Sequence, residues 1–162
     1  MKILHIVPTY LPAYRYGGPI ESVHSLNKWL VRLGAEVTVY TTNVNGSENL
    51  DVLLGQPVDI DGVKVFYFPT NISRGWYHSS AMRVALRENM KNFDLVHITS
   101  VVLFASAFGA CLAKKYGKPD IISPRGSLML APLKKSALKK SLYLNLIEKH
   151  NLKNASAIHF TT

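Results

Sequence analysis

The residues able to do chemistry in this chain gather where apolar runs end. Gly17-Gly18 follows the run Lys2–Val7 and a loop rich in Pro and Tyr, and it opens an amphipathic helix at Pro19. Glycines there leave room for a ligand against the backbone. The helix's first free N–H groups are expected to point at that space, which suits a phosphate. The pair is neither a G-x-G-x-x-G fingerprint nor a P-loop, since no Gly-Lys-Ser/Thr follows, so ordinary NAD or ATP binding is disfavoured. A flexible lead into the helix is the alternative role.

His97 lies in Phe93–Ser100, and strand alternation puts Leu95, His97 and Thr99 on one face, with Val96 and Ile98 on the other. A lone strand histidine is either a hydrogen-bonded core residue or, near the strand's C-terminal end, a catalytic imidazole. No other His or Cys sits at a metal-ligand spacing from it, and His5 and His24 read as packing or surface residues. Arg125, with Gly126 beside it, follows the run Asp120–Ser123. A guanidinium there forks onto a phosphate or carboxylate, or is simply solvated in a loop. Asp59-Ile60-Asp61 has the spacing of a D-x-D metal pair, but its second Asp begins an Asp61-Gly62 turn. The hairpin reading is preferred and no metal site is expected.

These candidates need a scaffold. The chain has 162 residues, 48% of them hydrophobic and 18% charged, which fits one compact domain with a sizeable core. Its single Cys111 rules out a disulfide framework and points to a reducing, intracellular compartment. The N-terminal apolar run breaks at Pro8 without a signal-peptide cleavage pattern, and the apolar stretch Val101–Ala113 is too short to span a bilayer. Between Lys114 and Lys153, ten basic residues face two acids, so eight of the nine net positive charges lie there. Nucleic acid, anionic lipid and phosphorylated ligands are all candidate partners for such a segment.

Val/Ile-rich runs alternate with helical patterns, the mark of a parallel sheet covered by helices on both faces. Strands are expected at Lys2–Val7, Glu36–Thr41, Val58–Ile60, Val63–Phe68, Leu95–Thr99, Asp120–Ser123 and Ala157–Thr161. Helices are expected at about 19–33, 78–91, 103–116 and 134–151, with Val23, Leu26, Leu30 and Leu33 as the inward stripe of the first. The fold class is therefore α/β, a doubly wound, mostly parallel, Rossmann-like single domain, with ligands outside the C-terminal ends of its strands. In the last of those helices, Leu138, Leu142 and Leu146 recur at four-residue steps beside Lys134, Lys135, Lys139 and Lys140. That cluster either lies on anionic lipid or forms an ordinary solvated face.

Taken in order, several stretches resemble the N-terminal domain of a family-four retaining glycosyltransferase of GT-B architecture. They are Lys2–Tyr10 with Tyr16-Gly17-Gly18, the segment WLVRLGAEVTVY at 29–40, the D-G hairpin within Asp59–Phe68, and the strand Phe93–His97. Ser123–Leu128 is similar to the family's P-[RH]-G-x-L element, and Lys139–Thr161 to its closing helix and strand. The resemblance implies that Gly17-Gly18 approaches the donor's diphosphate and that this domain binds the acceptor. His97 matches the first histidine of the family's H-x-H, and Thr99 stands at the second. Arg125 falls where the family shows Arg or His, so Thr99, Arg125 and Gly126 are expected to contact acceptor or phosphate, with His97 as the catalytic candidate.

The family's donor site lies mainly in a second domain and carries two glutamates spaced E-x7-E. No two of the Glu residues here are eight apart. Residues 1–162 are thus expected to be the acceptor-side half of a two-domain enzyme, without its C-terminal donor domain. The full enzyme is expected to move a sugar from a nucleotide sugar to a saccharide or lipid-linked acceptor in cell-surface polysaccharide or glycolipid synthesis. No cofactor is expected, the nucleotide sugar being a substrate, and no nucleic acid, since the basic segment lacks interleaved aromatics and any helix-turn-helix or zinc pattern. A cytoplasmic location, peripheral to the membrane's inner face, completes the expectation. A stand-alone phosphate- or sugar-binding domain is the alternative.

Overall fold

The computed structural model describes residues 1–71, 74–125, 143 and 147–160. Its strands are β1 (Lys2–Ile6), β2 (Glu36–Thr42), β3 (Val44–Asn45), β4 (Glu48–Asn49), β5 (Pro57–Ile60), β6 (Val63–Phe68), β7 (Leu95–Thr99), β8 (Asp120–Ser123) and β9 (Ala157–Ile158). Its α-helices are α1 (Gly18–Arg32), α2 (Ser80–Asn89), α3 (Phe104–Lys115) and α4 (Lys149–Asn154), with short 3-10 turns at Tyr14–Tyr16, Arg74–Trp76 and Met90–Asn92.

Seven strands form one sheet in the order β5-β6-β2-β1-β7-β8-β9. Every neighbouring pair is parallel except β5 and β6, the antiparallel edge. Leaving β5 aside, this is the doubly wound order, in which the winding reverses between the first and fourth parallel strands, here β1 and β7. The central strands are apolar on both sides because helices cover both faces. Leu4, Ile6, Val96, Ile98 and Ile122 pack with Met82, Leu86 and Leu112 from α2 and α3. Ile3, Val7, Val37, Val39 and Val65 pack with Val23 of α1 on the opposite side. Gly109 of α3 sits so close to β1 that a Cβ there would run into Ile6 Cδ1.

The Asp61-Gly62 hairpin forms as expected. Ile60 pairs with Val63 across two left-handed residues, φ 55° and 83°, the geometry of a type I′ turn. Helix α1 ends on paired bonds from Gly34 N–H to the Val31 carbonyl and from Ala35 N–H to the Leu30 carbonyl, a Schellman closure. Ser79 caps α2, its Oγ accepting from Met82 N–H.

The inward stripe of α1 needs correction. Leu33 is 80% exposed and Leu26 and Leu30 are only half-buried, while Ile20, Val23, His24 and Asn27 are buried. The helix is rotated because His24 and Asn27 find hydrogen-bond partners inside, so two polar residues occupy positions expected to be apolar. The polar loop after β2 contains the small β3–β4 hairpin. Of the expected closing helix, α4 extends to Asn154, three residues past the expected end. Lys134, Lys135, Lys139 and Lys140, like Gly126, lie outside the described residues.

Candidate functional site

Where the winding reverses, the chains leaving β1 and β7 diverge and open a crevice. A cavity of about 250 Å³ occupies it, bounded by Val7 and Thr9 after β1, Pro19 and Ile20 at the start of α1, Thr99 at the end of β7, and Arg125 after β8. Tyr16 and Tyr77 close one side. Five separate loops or element ends thus converge on one space. Pattern reading picked out Thr99 and Arg125 but missed the two tyrosines, whose only sequence signal is the aromatic enrichment of the loops at 10–16 and 76–77.

Gly17 is the N-cap of α1 with φ 64° and ψ −145°, a conformation essentially confined to glycine. A Cβ at Gly17 or Gly18 would meet nothing within 4 Å. The helix start offers fewer amides than expected. Gly17 N–H donates to the Tyr14 carbonyl, Pro19 has no N–H, and Ile20 N–H donates to the Gly17 carbonyl. That leaves Gly18 as the first-turn amide without an intrahelical partner position. Gly17 and Gly18 border the cavity's rim through their neighbours and are not among its lining residues.

His97 is buried and does not line the cavity. Its ring stacks on that of His5, its register partner across β1 and β7, with centroids 4.1 Å apart and planes 9° from parallel. The His159 ring lies 6.0 Å away. His97 Nε2 has no hydrogen-bond partner among the described residues. Burial first, then the nearby His159 and Arg125, lowers its pKa to about 4. His5 is fully buried and is held well below 6.5, by desolvation above all and then by His97. Both rings are therefore neutral at pH 7.

Arg125 reaches Ser22 of α1 through Nη1 at 2.7 Å, while its buried Nε has no partner among the described residues. Its backbone is left-handed, φ 44°. The loop between β7 and α3 is similarly constrained, with Ser100 at φ 72° and Val102 at φ 63°. A β-branched residue rarely adopts that conformation, and the surroundings must enforce it. Buried Glu148 does so, its Oε1 accepting the Val102 N–H at 2.8 Å. Burial raises the Glu148 pKa.

Asp59 and Asp61 stand apart from the cavity. Asp59 Oδ1 accepts from Gly62 N–H, while Asp61 Oδ2 is held by His24 Nε2 at 3.0 Å and Lys28 Nζ at 2.8 Å.

The family model for the glycosyl transferase 4-like domain matches residues 17–162. The chain belongs to this family. A search among curated proteins gave no significant match. This glycosyl transferase 4-like domain thus carries a glycosyltransferase-type function, with sugars as its general substrate class. Thr99, Arg125 and the first residues of α1, Pro19 and Ile20, all border the one cavity. No helix among the described residues is long and apolar enough to cross a membrane.

Proposed function

We propose that this glycosyl transferase 4-like domain is the acceptor-side half of a retaining, GT-B glycosyltransferase. It works with a nucleotide sugar held mainly by a second domain, and passes the glycosyl group to a saccharide or lipid-linked acceptor. The observation that carries the reading is the convergence of α1's N-terminus, Thr99 and Arg125 on the cavity between β1 and β7.

Glycosyl transfer leaves negative charge on the departing diphosphate, and fixed donors aimed at that charge lower the barrier. The Arg125 guanidinium supplies such a donor at the cavity, and the Gly18 N–H lies next to its lining residue Pro19. The acceptor hydroxyl must also be held against the anomeric carbon, and orientation of this kind is worth several powers of ten in rate. Thr99 holds it, with His97 supporting the His5 ring that bonds Thr99 rather than acting as a base. An imidazole titrating near 4 is a poor proton acceptor at neutral pH. As the bond to the anomeric carbon forms and the bond to the diphosphate breaks, the acceptor hydroxyl's proton therefore passes to the departing diphosphate oxygen.

The test is sugar transfer from a panel of nucleotide sugars to saccharide and lipid-linked acceptors, by the protein carrying this domain. Arg125→Ala should cut kcat about 100-fold, the usual effect of removing one transition-state donor. Transfer at the wild-type rate would refute the assignment of Arg125. Absence of transfer for every donor would refute the enzyme reading.

A further inference from the structure

One continuous run of side-chain hydrogen bonds leads from the surface turn at Asp61 to Thr99, which lines the cavity. Asp61 Oδ2 meets His24 Nε2 at 3.0 Å, and His24 Nδ1 meets the Tyr10 hydroxyl at 2.9 Å. Asn27 Nδ2 meets the same hydroxyl at 3.1 Å, and Asn27 Oδ1 meets His5 Nδ1 at 2.7 Å. His5 Nε2 then meets Thr99 Oγ1 at 2.8 Å. Tyr10, Asn27, His5 and Thr99 are all buried. The six residues come from β1, α1, the β5–β6 turn, β7 and the loop after β1.

The ends of such a chain fix the direction of every proton in it. Lys28 and His24 hold the Asp61 carboxyl below its usual pKa, so it is ionised and can only accept. A His24 ring that carries a single N–H donates it from Nε2 to this carboxylate and so accepts at Nδ1. Tyr10 supplies that proton, so its oxygen accepts from Asn27 Nδ2. Asn27 therefore turns its carbonyl to His5, which donates from Nδ1. A neutral His5 has one N–H only, so its Nε2 accepts, and Thr99 must donate to it. The stacked His97 ring holds the His5 plane while this happens.

We propose that Asp61, His24, Tyr10, Asn27 and His5 are positioning residues that lock Thr99 as a hydrogen-bond acceptor toward the cavity, so that it takes a donating ligand hydroxyl and turns away phosphate or carboxylate oxygen. Anions are left to Arg125 at the other side of the cavity. In naming the hydroxyl as a sugar's, the inference rests on the glycosyltransferase reading; the direction of the chain does not.

Two measurements separate these parts. Long-range proton–nitrogen correlation spectra of the full chain, histidine-labelled and at mildly alkaline pH, read each tautomer. Wild type should show His5 protonated on Nδ1 and His24 on Nε2. In Tyr10→Phe the chain is cut, and His5 should become a mixture of tautomers. His5 protonated on Nε2 in wild type would overturn the proposal, and so would an unchanged pure Nδ1 tautomer in Tyr10→Phe.

Binding is then titrated with a panel of methyl hexopyranosides and, separately, with inorganic pyrophosphate. Thr99→Val should weaken the glycosides about tenfold, the scale of one hydrogen bond lost beside a stranded acceptor, and leave pyrophosphate unchanged. Thr99→Ser should bind both as wild type does. Weakening of pyrophosphate alone would overturn the selectivity. Wild type binding no glycoside, with His5 protonated on Nδ1, would overturn the sugar reading and leave the direction of the chain standing.

Discussion

Acid should unfold this domain through His97, and the size of the effect follows from its surroundings. In the unfolded chain the imidazole titrates near 6.5, whereas in the folded protein burial, His159 and Arg125 hold it near 4. A lowered histidine pKa means that the folded state favours the neutral ring. The associated stability is fully present above 6.5 and is lost as the pH falls through the interval to about 4. Each pH unit of that interval is worth about 1.4 kcal/mol, so the whole loss is about 3 kcal/mol. A domain of this size commonly has about 5–15 kcal/mol of stability, so the loss is a large share. His5 adds to it, because two rings stacked at 4.1 Å resist carrying two charges.

The assay is urea unfolding of wild type and His97→Gln at a series of pH values from neutral to about 4. The wild-type unfolding free energy should fall with acid by about 3 kcal/mol more than that of the variant, along a slope approaching 1.4 kcal/mol per pH unit. Parallel curves for the two proteins would refute the reasoning, as would a nuclear magnetic resonance titration of His97 centred near 6.5.

Other substitutions probe the neighbouring features. Gly17→Ala should lower stability by about 1–3 kcal/mol because its φ of 64° with ψ −145° excludes a side chain. Gly18→Ala, with open space around it, should leave the denaturation midpoint unchanged while reducing sugar transfer. Glu148→Gln keeps an acceptor for the Val102 N–H but removes a buried charge. Because burial raises the Glu148 pKa, wild type should lose stability as the pH rises through that pKa, and the variant should not. Glu148→Ala should instead destabilise at every pH by about 1–3 kcal/mol, since the Val102 amide loses its partner. Replacing Lys134, Lys135, Lys139 and Lys140 by Gln should abolish sedimentation with anionic vesicles at low salt, each lysine near the surface adding about 1 kcal/mol. Equal binding by both proteins would leave the cluster as a solvated face.

Sequence pattern alone determined the alternation of strands and helices, the Asp61-Gly62 turn and the shared face of His97 and Thr99. Those features depend on residues close along the chain, where a period of two or of 3.6 and the conformational preference of a dipeptide act directly. It did not reach the rotation of α1, because apolar periodicity favoured Leu26, Leu30 and Leu33, while the fold chose His24 and Asn27. Nor did it show that Ile20 and Gly17 spend their amides within the helix start, or that Glu148 holds a strained loop 46 residues away. His5 read as packing, yet it meets Thr99 across 94 residues of chain. The physical reason is that a buried polar side chain is stable only with a partner, and the partner is supplied by strand order and register. Tertiary structure alone sets β1 beside β7, and with that one adjacency it decided which histidines stack, which hydroxyl meets His5 and where the cavity lies.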